Sequence, residues 1–168
     1  MVQVHVLGVA LDAKQQHIVL LKPLVEELGE SRVLPIWIGE QEATSILVAV
    51  SGASAPRPLS HDLMKTLLDA LDADVDRVEV ERIDGGTFYA SITLRGPSGA
   101  HVIDARPSDA IALAVRMHAP LFVAEEVLAE AAIPGSFIDQ SGADEETEHE
   151  LDEFKKFIEG VDPEDFKG

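Results

Sequence analysis

The stretch Asp104-Ala105-Arg106-Pro107-Ser108-Asp109 gathers a guanidinium, a hydroxyl and two carboxylates within six residues. A guanidinium is a planar fork suited to phosphate, and carboxylates beside it can hold a divalent cation. These residue types therefore fit a polyanion site. They also fit an ordinary ion-pair network locking a strand to a helix, with Arg116 about two helical turns beyond Asp109. The stretch alone leaves both open.

Two other helix starts carry similar groups: Glu40 and Glu42 after Gly39, and His61 and Asp62 after Ser60. Acidic side chains in a first helical turn are favoured by the helix dipole. Pro107 suits the first position of a helix, where its missing N–H is not needed. Ser60 is a natural N-cap, and Asp109 can bond back to free backbone donors. His61 beside an acid is a candidate general base or metal ligand. The other five histidines have no metal-ligand spacing, and Asp84-Gly85-Gly86 is turn chemistry. No phosphate-binding loop, dinucleotide fingerprint or serine-hydrolase elbow occurs.

The elements that must position these groups follow from periodicity. VQVHVLGVALD, HIVLLKPL and SRVLPIWIG read as strands, and Ile36-Trp37-Ile38 has no polar face, so both its sides are expected to be covered. EQEATSILVAVSG reads as a helix. LSHDLMKTLLDALD reads as another, with Leu63, Leu67, Leu68 and Leu71 forming one stripe. DRVEVERID alternates through Val78 and Val80, then slips at Arg82, which a bulge absorbs. With TFYASITLR and AHVIDA it makes a three-stranded antiparallel meander. A third helix runs from the opening stretch to Met117; LFV is a short strand and AEEVLAEAA a short helix. This order predicts an α+β fold on a mixed or antiparallel sheet, with three main helices packed on it.

The 168 residues suit a domain over 1–135 and an acidic appendage over 136–168. The net charge is −18, and residues 136–168, with 12 Asp/Glu against 3 Lys/Arg, carry −9 of it. Such a field repels phosphate backbones, so nucleic-acid chemistry needs a local arginine or a bridging cation. In the appendage, Leu151, Phe154, Phe157 and Ile158 form a stripe expected to dock on the domain or on a partner subunit. There is no cysteine, no signal-peptide pattern and no apolar run of about 20 residues, which points to a cytoplasmic protein with no membrane partner.

Taken together, LPIWIGEQEATSI, RPLSHDLM, DGGTFYASITL and IDARPSDAIALAVRMHAPLFVAEEV resemble the bifunctional nuclease family from the first strand to about Val127. Ser60 stands where the family pattern usually has Thr, keeping the hydroxyl. The resemblance implies a curled, barrel-like sheet, self-association into a homo-oligomer, and cleavage of both DNA and RNA. Glu42, His61, Asp62, Asp104, Arg106, Ser108 and Asp109 fall inside the matched motifs and are the candidate site. If they converge, Glu42, Asp62 and Asp109 would hold Mg²⁺ or Mn²⁺, which activates water. Arg106 would stabilise the developing charge and His61 would relay a proton. The charge of −18 favours a rival, a non-catalytic interaction module using the acidic tail. An enzyme on a small phosphorylated substrate is a third reading, since an acidic surface does not exclude small anions from a local arginine site.

Overall fold

The computed structural model describes residues 1–25 and 31–139. Three strands, β1 (Val2–Leu11), β2 (His17–Pro23) and β3 (Arg32–Ile38), pair antiparallel in sequence order. The Asp12 carboxylate holds the β1–β2 turn by accepting the backbone N–H groups of Lys14 and Gln16 and the indole N–H of Trp37. Helices α1 (Glu40–Val50) and α2 (Ser60–Ala70) follow. The meander comes next, as β4 (Asp74–Asp84), β5 (Thr87–Gly96) and β6 (Gly99–Ala105). Then come α3 (Pro107–Met117), β7 (Leu121–Val123), α4 (Glu125–Ala131), β8 (Ile133–Pro134) and α5 (Ser136–Asp139).

The eight strands form one mixed sheet in the order β6-β5-β4-β7-β1-β2-β3-β8. Short β7 joins the two meanders, antiparallel to β1 and parallel to β4. The α+β architecture is as expected; the barrel-like closure is not. The two ends of the order, β6 and β8, do not pair with each other, so the sheet is open. Closure needs the edge strands to meet, and here they lie on opposite margins. The β4–β5 register shifts between Val80 and Arg82, where the alternation slips, and again between Val75 and Arg77.

Helix α3 runs through the middle of the core. Ala110, Ile111, Ala112, Leu113 and Ala114 are all buried, and the small alanines let neighbouring elements approach closely. They pack with Ala43 and Ile46 of α1 and with Val4, Leu21, Ile36, Val78, Val80 and Phe88 of the sheet. The opposite face of β2–β3 buries Ile18, Leu20, Val33 and Trp37, so β3 is covered on both sides as its composition requires.

Helix α2 departs from expectation. Leu63, Leu67 and Leu71 are 53%, 54% and 68% exposed, and of the stripe Leu68 packs on the core. Ser60 is not the N-cap but the first helical residue. Leu59 occupies the cap, and the Asp62 carboxylate reaches back to accept its N–H at 2.8 Å. The helix is turned so that His61 and Asp62, not its leucines, face α1 and α3, because both make partners there. The expectations for the tail, including the Leu151–Ile158 stripe, lie outside the described residues.

Candidate active site

The starts of α1, α2 and α3 converge. Gly39, with β-region torsions, ends β3 and caps α1, and the Glu42 side chain folds back over it; a Cβ on residue 39 would run into the Glu42 carboxylate. Arg106, also extended, ends β6 and caps α3, with Pro107 in the first helical turn. From there its guanidinium donates Nη2–H to Glu42 Oε1 at 2.8 Å and Nε–H to Asp109 Oδ2 at 2.8 Å. Asp109 thus does not return to the backbone of its own helix start. Its other oxygen, Oδ1, lies 2.9 Å from His61 Nε2, and His61 Nδ1 lies 2.7 Å from the Ser45 hydroxyl. Ser45 and His61 are buried, while the Arg106 side chain is 58% exposed.

The hydrogen-bond directions follow from what each group can do. An ionised carboxylate only accepts, so Nε2 of a neutral His61 carries the proton and Nδ1 the lone pair. The Ser45 hydroxyl is then the donor to Nδ1. Burial works to raise the Asp109 carboxyl, but hydrogen bonds from Arg106 and His61, with the Arg106 charge, outweigh it and hold the group below the usual value. Hydrogen bonds to Asp109 and Glu42 push Arg106 still higher, against a burial effect of opposite sign. The result is a continuous polar chain, Glu42–Arg106–Asp109–His61–Ser45, drawn from three helix starts. It borders an open cleft of ≈ 700 Å³ whose lining also includes Glu40, Gln41, Leu59 and Met64.

The bifunctional nuclease domain's sequence profile matches residues 20–136, which contain every member of this chain. The protein belongs to the bifunctional nuclease domain family. An uncharacterized protein of Mycobacterium tuberculosis is 38% identical over 169 residues, 98% of each chain. Bifunctional nuclease 1 of Arabidopsis thaliana is 29% identical over 100 residues, 58% of this chain and 31% of the plant protein. Bifunctional nuclease 1 of Oryza sativa subsp. japonica is 26% identical over 115 residues, 67% of this chain and 34% of its own.

Of the motif residues singled out in this bifunctional nuclease domain, Glu42, His61, Arg106 and Asp109 come together. Asp104 does not: it is exposed on β6 opposite Ser91, because alternation along an edge strand points it away from the following helix. Ser108 is buried, off the cleft lining, and its hydroxyl has no hydrogen-bond partner among the described residues. Asp62 also turns away from the cleft. Its Oδ1 accepts Arg116 Nε–H at 2.7 Å, and Arg116 further donates to the backbone carbonyls of Ala112 and Ser45. Ser45 escaped the motif reading. Its only sequence signal is a hydroxyl interrupting an apolar helix between Ala43 and Ile46 on the buried side.

The expected Mg²⁺ or Mn²⁺ triad does not fit this donor set. Glu42 and Asp109 are bridged by a guanidinium, Asp62 faces a different arginine, and among the described residues no three His, Asp or Glu side chains could hold one cation. Cation ligands must be free to direct lone pairs at one point.

The carboxylates also set an acid limit. The Arg116 hydrogen bond first, and then the Leu59 N–H, hold Asp62 below its ordinary 3.8. A carboxyl depressed in the folded state contributes stability that is complete above the unfolded value and is lost as pH falls through the folded one. Asp62→Asn should therefore cost most stability near neutral pH, and the cost should shrink as pH falls below the ordinary carboxyl value and through the depressed folded one, where the wild-type group is protonated too. Denaturant unfolding of both proteins across that range measures it; a constant difference would contradict the assignment.

Proposed function

We propose that this cleft hydrolyses phosphodiester bonds of DNA and RNA, with Arg106 binding the phosphate and His61 handling the proton. The observation that carries the reading is that Arg106 and His61 share one carboxylate, Asp109, at 2.8 and 2.9 Å. A phosphate binder and a proton acceptor are thereby held side by side at a cleft in a family whose plant members are named nucleases. Such coupling of positioning and proton transfer is what phosphoryl transfer requires of a protein.

The binding step has a definite form. The first-turn N–H groups of α1 have no side-chain cap, and Arg106 reaches the same corner. Uncapped N–H groups and a guanidinium together attract anions. The Glu42 carboxylate occupies that corner in the free protein, so a substrate phosphate takes its place on Arg106 Nη2. The rest of the Arg106 fork faces the remaining phosphate oxygens, and Asp109 keeps His61 oriented throughout. Exchanging one anion for another limits the cost of bringing a polyanion to a protein of charge −18.

The surplus of carboxylates around Arg106, namely Glu40, Glu42 and Asp109, favours a second reading, a hydrolase of small phosphate diesters. One digest separates the two. Purified protein is incubated with single-stranded DNA, RNA, duplex DNA and a chromogenic phosphodiester, each with and without EDTA, beside His61→Asn. Cleavage of the polymers, reduced about 100-fold in the variant, is the expected result. Turnover of the small diester alone selects the second reading, and equal activity of wild type and variant leaves a non-catalytic module.

A further inference from the structure

We infer that Ser45 is the nucleophile of this site, taking the phosphoryl group onto its Oγ and passing it to water. The inference rests on the nuclease reading and adds the step it lacks. Both ring nitrogens of His61 are committed, Nε2 to Asp109 at 2.9 Å and Nδ1 to the Ser45 hydroxyl at 2.7 Å. The lone pair that makes His61 a base therefore points at Ser45, not at open solvent. The proton it is placed to remove is the serine's own. Carboxylate, imidazole and hydroxyl in hydrogen-bonded sequence are the general arrangement that activates a weak oxygen nucleophile, recognised by geometry and not by order in the chain. Here the ring is reversed relative to its commoner orientation, which leaves the chemistry unchanged because either nitrogen can serve as base.

Two further features fit. Ser45 borders the cleft together with Arg106, so the attacking oxygen and the phosphate binder share one space. Arg116 Nη2–H donates to the Ser45 carbonyl at 3.1 Å, fixing the backbone that carries the hydroxyl.

The step balances. Ser45 Oγ bonds to phosphorus as its proton passes to His61 Nδ1. The bond from phosphorus to one sugar oxygen breaks, and that oxygen leaves with the proton from His61. Water then attacks phosphorus, gives one proton to His61, and the Oγ–P bond breaks; His61 returns the proton to Ser45. No redox partner is involved. Because the enzyme supplies the nucleophile, the substrate's 2′-hydroxyl is dispensable, so the same machinery serves DNA and RNA. RNA is cut without forming a 2′,3′-cyclic phosphate.

The test follows Ser45 by two routes. Wild-type protein is acid-quenched during turnover of a single-stranded oligonucleotide and examined by intact and peptide mass spectrometry. Separately, it is treated with a fluorophosphonate probe. The expected results are an oligonucleotide-phosphoryl adduct on the Ser45 peptide, probe labelling at the same residue, and RNA products free of cyclic phosphate. Ser45→Ala, folded by circular dichroism, should lose adduct and label and at least 100-fold of cleavage. Cleavage without adduct or label, or undiminished in Ser45→Ala, overturns the nucleophile and leaves the nuclease reading standing. Labelling of Ser45 with no nucleic acid cleaved sustains the nucleophile and removes the nuclease reading. Absence of label, adduct and cleavage removes both.

Discussion

Arg106→Ala is expected to lower kcat/KM for nucleic-acid cleavage about 1,000-fold while leaving the fold in place, since a transition-state arginine in phosphoryl transfer is worth roughly 10³–10⁵. Two losses combine. The developing negative charge on the phosphate loses the one Lys or Arg that lines the cleft among the described residues. Asp109 also loses a hydrogen bond that keeps it ionised against burial, so its grip on His61 weakens. Stability should barely change, because the side chain is 58% exposed and its ion pairs to Glu42 and Asp109 are solvent-screened. Arg106→Lys should recover only part of the activity, since a single ammonium cannot reach Glu42 and Asp109 through separate nitrogens and still offer donors to phosphate. Steady-state cleavage and thermal melting of the three proteins measure both halves. Unaltered cleavage by Arg106→Ala would remove Arg106 from the chemistry and with it the shared-carboxylate site.

The contrast between what sequence and structure say about these residues has physical causes. Periodicity reports which face of an element a side chain occupies. It therefore anticipated the two covered faces of β3, the bulge where Val80 gives way to Arg82, and the helix opened by Pro107. It is silent about what lies opposite that face. Leu63, Leu67 and Leu71 of α2 fulfil their periodicity and still lie open, because partners for His61 and Asp62 turn the helix the other way. The parallel pairing of β4 with three-residue β7 has no local signature, as the two are joined only through β5, β6 and α3.

At the site the same limit applies. That Glu42, His61, Arg106 and Asp109 belong together was legible from shared motifs and from chemistry that needs those types in one place. Their separation in chain order hid the pairing itself: Arg106 bonds Glu42 across 64 positions and His61 bonds Asp109 across 48. Asp62 and His61 are neighbours in sequence yet face different arginine systems, since adjacent helical positions differ by about 100° in direction. Asp104 was drawn in by proximity to Arg106, but the end of a strand and the start of a helix direct side chains apart. Ser45 went unseen because an interior serine announces nothing until the histidine opposite it is known.

Arg116 is where site and stability meet, and its removal should be the most costly of the polar substitutions for the fold. The side chain is only 6% exposed and ties α3 to two other helices through Asp62 Oδ1 on α2 and the Ser45 carbonyl on α1, with a third bond to the Ala112 carbonyl of its own helix. Breaking a fully buried ion pair costs about 3–5 kcal/mol. Asp62 is 37% exposed and keeps the Leu59 N–H, so part of its charge is recovered by water. The Ser45 carbonyl, by contrast, sits on a buried residue inside α1; it keeps its place in the helix ladder but loses the bond from a charged donor, worth about 1.5–3 kcal/mol. Arg116→Met, which fills most of the volume, is therefore expected to lose about 2–3 kcal/mol by denaturant titration at neutral pH. The loss should shrink when Asp62→Asn is already present, because the two substitutions remove one shared interaction. Cleavage should fall more modestly, about tenfold, as the backbone under Ser45 loosens, a misplacement effect without loss of a reacting group. An Arg116→Met protein that unfolds at the wild-type midpoint, alone and in the Asp62→Asn background, would mean that α1, α2 and α3 are held together by the core alone.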